Sequence, residues 1–362
     1  MTRRREFVAC VALVVVSLLV GLAVLELACR LANEAHRLLK GPNLTDRPVD
    51  WIIHDPLLGL VFKPNGVSPE GSFDSDGFRV TSGARALNAG LVVASGDSFT
   101  FGMEVANNET WPAILQEIIG VRVINAGVSA YGIDQTVLRT ERLAAALAPT
   151  AMVVSFIADN IWRSEMRRLW GAEKPYFTLD NNGELVLHNV PVPSVAPNTR
   201  DGPGKASLLQ RLLNESALVE IVMRRLQAFG DGSHRYFERF GDTVRAVPSG
   251  TGEKVSCALM RRLAQAGVPV LVVAQYQPTS WTRGPAYLAE QRRQNRVVLG
   301  CASTAGLVTL DTFETLNEVI ARGGLQSLYL QQHHSALGNR LVAQAIGDAM
   351  AAGRMLEPPV RR

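Results

Sequence analysis

Ser98 stands in a turn that is built for exposed backbone. The segment Ala94-Ser95-Gly96-Asp97-Ser98-Phe99-Thr100-Phe101-Gly102 follows the apolar run Leu91-Val92-Val93-Ala94 directly. The spacing predicts a buried strand ending just before the serine. At such strand ends, open α/β sheets offer a crevice, and the next helix start offers unpaired N–H groups. A hydroxyl there attacks an ester when a base within hydrogen-bond reach takes its proton. The candidate base is His333, in His333-His334-Ser335-Ala336-Leu337-Gly338-Asn339, which opens a helical pattern near the C-terminus.

Two further segments end apolar runs in small or polar residues. They are Val123-Ile124-Asn125-Ala126-Gly127-Val128-Ser129-Ala130-Tyr131-Gly132 and Met152-Val153-Val154-Ser155-Phe156-Ile157-Ala158-Asp159-Asn160. With serine, loop, asparagine and histidine in this order, the chain resembles the SGNH (GDSL-type) hydrolases over residues 88–163 and 255–350. The resemblance implies Ser98 as nucleophile and His333 as base. It implies an oxyanion hole made by the N–H of Ser98, the N–H of Ala130 and the side-chain amide of Asn160. Such donors are worth about 3 to 4 kcal/mol each. Where the family carries glycine this chain has Ala130, which a main-chain donor tolerates as long as φ is negative. Asn160 is preferred over Asp159 because a carboxylate would repel the oxyanion. The resemblance also selects His333 over His334, since the family's histidine stands five residues before the helix glycine, here Gly338, and His334 is expected to face solvent.

The family's aspartate, two or three residues before the histidine, is missing: Leu330 and Gln331 occupy those positions. Three readings follow. Gln331 or Gln332 orients the imidazole through its carbonyl; an acid comes from elsewhere, such as Asp311 or Glu314; or the pocket binds without turnover. Phosphoryl transfer through Asp97 finds no second acidic metal ligand nearby.

The chain has 362 residues, 47% of them hydrophobic, enough for a sizeable core. Its 37 basic and 33 acidic residues leave a net charge of +4, of which Arg3, Arg4 and Arg5 supply three. A nucleic-acid partner is not indicated, since such a surface clusters its basic residues with aromatics. The histidines and cysteines show no metal-ligand spacing, and no cofactor is called for. Phe7 to Leu25 carries no charge over nineteen residues, roughly 28 Å of helix. The arginines before it predict a signal anchor, held in the inner membrane through residues 7–27, with everything after residue 30 extracytoplasmic, in the periplasm. Cys257 and Cys301 fall in helical patterns flanking one strand; an extracytoplasmic setting permits a disulfide between them, buried free thiols are the commoner outcome, and the sequence does not fix their distance.

The order of elements predicts a three-layer α/β/α doubly wound parallel sheet of flavodoxin type behind an N-terminal transmembrane helix. Its strands are expected at Leu91 to Ser95, Val121 to Asn125, Ala151 to Ile157, Val268 to Gln275 and Gly306 to Leu310. The organisation expected is an anchor at 1–30, a stalk and leader at 31–88, and a catalytic domain at 89–352 with an insertion at 162–255. That insertion contains a hairpin around Asn182-Gly183 and an amphipathic helix near Ser207 to Phe229, and its Trp162, Trp170, Tyr176 and Phe177 are candidate sugar-stacking rings. The resulting expectation is a serine esterase acting on small acyl esters, by resemblance those of carbohydrate polymers. The alternatives are a carbohydrate O-acyltransferase, or a carbohydrate-binding protein without turnover.

Overall fold

The computed structural model describes residues 2–40, 50–81, 88–169, 172–194, 216–226 and 250–357. Trp170 and most of the amphipathic segment near Ser207 to Phe229 lie outside them. The chain divides into two units, Met1–Val49 with Pro197–Thr243, and Asp50–Ala196 with Val244–Arg362.

In the first unit the helix Thr2–Lys40 contains the 28-residue stretch Arg5–Ala32, which is long enough to cross a bilayer and holds an 18-residue window of mean hydropathy 3.1. Its apolar side chains are exposed, Phe7 and Leu13 by 70% and 72%, as a helix facing lipid requires. Within the same unit the carboxylate of Glu26 caps the helix Ala217–Leu226, accepting from Ser216 Oγ at 2.8 Å and from the N–H groups of Ala217 and Leu218 at 2.9 and 3.0 Å.

The second unit opens on an antiparallel pair, β1 (Ile52–Asp55) and β2 (Gly59–Phe62). It is built on a five-stranded sheet of β3 (Asn88–Ser95), β4 (Val121–Asn125), β5 (Ala151–Phe156), β10 (Val270–Ala274) and β11 (Val308–Asp311). Between β5 and β10 lie two small antiparallel pairs, β6 (Arg168–Leu169) with β7 (Ala172–Glu173), and β8 (Tyr176–Leu179) with β9 (Leu185–His188). The last is the expected hairpin, with Gly183 at φ 79° in its turn.

The central strands are all parallel and ordered β11-β10-β5-β3-β4. They are nearly continuous apolar runs because both faces are covered. Val92, Ala94, Val153, Leu271 and Val273 point to one core with Trp111, Ile114, Val342 and Ile346. Val93, Met152, Val154, Val270 and Val272 point to the other with Val137, Val255, Leu259 and Val298. The helices Trp111–Ile119 and Ala336–Ala352 thus form one outer layer, and Ile133–Leu147, Thr251–Leu263 and Pro285–Thr304 the other. Chain order reverses between β3 and β5, so a crevice opens at their carboxyl ends.

Two observations correct or extend the sequence reading. Cys257 and Cys301 form a disulfide joining two helices of one layer, not a pair of free thiols; helix patterns fix which face a residue occupies but not the distance to a partner 44 residues away. Residues 50–81 pack against the sheet domain. Tyr131 donates its hydroxyl to Leu60 O at 2.6 Å, Gln135 Nε2 reaches Leu58 O at 2.8 Å, and the Arg79 N–H bonds Asn125 O at the edge of β4.

Candidate active site

Ser98 begins a one-turn helix, Ser98–Phe101, at the end of β3. Asp97 caps that helix, its Oδ1 accepting the Phe99 N–H at 2.9 Å, and Gly102 closes it at φ 85°. Gly127 is required here by close approach: a Cβ would lie 2.3 Å from Phe101 N. The serine turn and the loop after β4 therefore touch backbone to backbone.

His333 arrives from the other end of the chain on the turn before Ala336–Ala352. Its Nε2 lies 2.9 Å from Ser98 Oγ. Its Nδ1 lies 3.1 Å from Oε1 of Glu104, a residue the sequence reading did not consider. Glu104 also accepts the N–H groups of Gln331 at 2.9 Å, Gln332 at 3.2 Å and His333 at 3.3 Å. Gln331 and Gln332 thus take part through main chain, and the expectation that their side chains orient the ring is corrected. Asp311 is engaged elsewhere, by the Phe313 N–H at 3.0 Å and the Tyr276 hydroxyl at 3.3 Å. Glu314 pairs with Arg292. Burial alone would raise the Glu104 carboxyl, but the bonds from the His333 ring and from the Gln332 and His333 backbone outweigh it and hold the group below 4.5. An ionised carboxylate on Nδ1 places the imidazole proton there and leaves the Nε2 lone pair facing the serine.

Among the described residues, the N–H groups of Ser98 and Ala130 have no intramolecular acceptor. Asn160 is differently occupied. Its Nδ2 donates to Asp97 Oδ2 at 2.9 Å and to Tyr131 O at 3.0 Å, while its Oδ1 accepts the Ile157 N–H at 2.7 Å. Both amide hydrogens are used, so Asn160 ties the serine turn to the loop after β4, and it reaches an oxyanion only by releasing Tyr131 O. Asp159 bonds Gln277 Nε2 at 3.0 Å.

The condition set for Ala130 is not met, because its φ is 72°. An alanine pays about 1–2 kcal/mol in the left-handed region. Its methyl group, however, packs on Met166 and Leu169 at the root of the insertion. Ala130→Gly relieves the strain but loses about 0.8 kcal/mol of methyl burial and adds chain entropy worth about 0.5–1 kcal/mol. Urea unfolding is expected to show Ala130→Gly within about 1 kcal/mol of the parent, whereas branched Ala130→Val loses more than about 2 kcal/mol. A valine tolerated without loss would contradict the loop conformation.

His334 is buried, not solvent-facing. It stacks against Tyr329 at 4.8 Å and meets Phe99 edge-on at 5.1 Å. Burial, with a contribution from neighbouring His333, lowers its pKa to about 3 and keeps it neutral. Of the proposed stacking rings, Phe177 is in the core, Trp162 is partly buried against the cluster of Ala130, Met166 and Leu169, and Tyr176 stacks on His188 and takes the Arg167 guanidinium on its face. At the insertion's root a buried ion pair joins Lys174 to Asp134 at the start of Ile133–Leu147; burial pushes the carboxyl up and the ammonium down. No group of three or more His, Cys, Asp or Glu side chains is placed to hold a metal ion among the described residues.

The fold and this serine–histidine–carboxylate line define a doubly wound α/β protein with a Ser-His-Glu constellation at the carboxyl end of β3. No family model matches the chain. It is 35% identical over 91 residues to the isopentenyl-diphosphate delta-isomerases of Rickettsia prowazekii and Rickettsia typhi, spanning about a quarter of the length of these curated relatives (26%). Solved structures similar to it include LAE5, an alpha/beta hydrolase from the metagenome of Lake Arreo, at 14% identity and TM-score 0.43, covering 75% of this chain and 98% of that one. A lipolytic protein of the G-D-S-L family from Veillonella parvula gives 14% and 0.40, covering 73% and 99%. Axe2, an acetylxylan esterase from Geobacillus stearothermophilus, gives 14% and 0.42, covering 73% and 95%.

Proposed function

We propose that this chain is a membrane-anchored serine esterase of SGNH type that cleaves small acyl esters on the extracytoplasmic side. The observation that carries the reading is the unbroken line from Ser98 Oγ through His333 to Glu104, at 2.9 and 3.1 Å. His333 Nε2 takes the serine proton as Oγ bonds the acyl carbon, and the charge that develops on the carbonyl oxygen meets the N–H groups of Ser98 and Ala130. Collapse expels the alcohol, which leaves with the proton from Nε2. Water then attacks the acyl-serine, giving its proton to the same nitrogen, and the acid is released as Oγ recovers a hydrogen. Glu104 holds the ring in the required tautomer throughout. By supplying the carboxylate that the residues just before the histidine lack, it favours turnover over a pocket that only binds.

An extracytoplasmic setting is supported by the apolar N-terminal helix behind three arginines and by the Cys257–Cys301 disulfide, a bond that persists in oxidising compartments. The test is covalent trapping of the full chain in detergent micelles with a fluorophosphonate. The expected result is one adduct on the peptide carrying Ser98, absent from Ser98→Ala. No adduct on folded protein, beside a labelled control esterase, overturns the reading.

A further inference from the structure

We propose that Arg79, from the segment ahead of the central sheet, is a positioning residue for the carboxylate behind His333, its guanidinium fixing the backbone on both sides of Glu104. The proposal rests on the esterase reading for its functional meaning but not for its geometry. Arg79 is only 1% exposed, and its acceptors surround one loop. Nη1 donates to Phe101 O at 2.8 Å and to Gly102 O at 2.5 Å. Nη2 donates to Val105 O at 2.6 Å and to Glu70 O at 2.8 Å, and Nε to Asn107 Oδ1 at 3.1 Å. A guanidinium has five N–H groups, so the whole fork is used. Four of the five bonds go to residues 101–107, three of them to carbonyls within three residues of Glu104. None goes to a carboxylate.

A buried cation without a carboxylate in direct contact is costly to keep. Here it solves a local problem: Glu104 has φ 72°, a conformation that a glutamate does not hold unaided. The fork pins the turn from both flanks, while the Arg79 N–H on Asn125 O fastens the clamp to β4. Phe101 supports the guanidinium from one face, with the ring centroid 4.5 Å away. Gly71 leaves the necessary room, since a Cβ there would lie 1.9 Å from Asn107 Oδ1. Lysine, with its donors on one nitrogen, cannot reach carbonyls on both sides of the turn.

The test is a double-mutant cycle on the full chain in micelles, read with p-nitrophenyl acetate and with the His333 Nδ1–H proton in ¹⁵N-histidine NMR. Arg79→Lys is expected to lower kcat by up to about 10²-fold at unchanged KM, the scale of a catalytic group displaced by an ångström. In a Glu104→Ala background the same change is expected to cost less than about twofold, because the residue through which it acts is gone. Asn107→Ala, which removes one acceptor, is expected to show a smaller loss that also vanishes in that background; it carries the test if Arg79→Lys does not fold. The ring-proton signal is expected in the parent and absent from Arg79→Lys and Glu104→Ala. Losses that multiply across the cycle, or a ring proton that persists in folded Arg79→Lys, overturn the proposal. A parent that neither hydrolyses the ester nor reacts with fluorophosphonate defeats the esterase reading alone, since the ring proton still reports on Arg79.

Discussion

Glu104→Gln is expected to lower kcat toward p-nitrophenyl acetate by about 10⁴ with little change in KM, the scale seen when a triad acid becomes an amide. The cause is proton placement. A carboxylate can only accept from Nδ1, so Nε2 is left bare to receive the serine proton. A glutamine can turn its NH₂ toward Nδ1, which moves the ring proton to Nε2 and aims a donor at Ser98. The pH dependence has a definite sign. The folded carboxyl lies below 4.5, so its contribution to stability is fully present above about pH 4.5 and is lost as pH falls through the folded value. The difference in thermal midpoint between parent and Glu104→Gln is therefore expected to shrink as pH falls below about 4.5. Parent-like turnover in Glu104→Gln would remove the acid from the mechanism.

His333→Ala is expected to cost about 10⁶ in kcat, Ser98→Ala about the same, and the double variant no more than either alone. Residues that act as a unit lose their joint contribution once. The proton on Oγ has Nε2 as its acceptor, 2.9 Å away, and an alanine at either end breaks the same transfer. A residual rate above that of water is expected in all three, because the N–H groups of Ser98 and Ala130 remain. Single-turnover kinetics check this: a double variant several orders slower than each single would mean that serine and histidine work independently.

The five central strands were legible because parallel strands covered on both faces read as plain apolar runs, and each ends within two residues of its expected position. Ser98 and His333 were legible as types at strand and helix ends, and the structure brings them together. Glu104 was not, because its tie to His333 crosses 229 residues of sequence and depends on a left-handed backbone angle. The available signal was proximity to the candidate serine: a carboxylate six residues after Ser98, just past the glycine that closes its turn. Asn160 lies beside the serine turn, but its residue type could not show that both of its amide hydrogens are spent on Asp97 and Tyr131 O rather than offered to an oxyanion. His334 was misplaced because the turn from Tyr329 folds back into a bridge with it, which no helical period foretells.

With Glu104 only six residues after Ser98, just past the turn that Gly102 closes, the histidine's own neighbourhood needs no acidic residue to place a carboxylate on Nδ1. Gln331 and Gln332 serve through peptide nitrogens, so their side chains are free to drift without disabling the relay. Searches that demand an aspartate shortly before the histidine would discard chains wired in this way as inert, whereas a glutamate just beyond the serine's closing glycine would retrieve them.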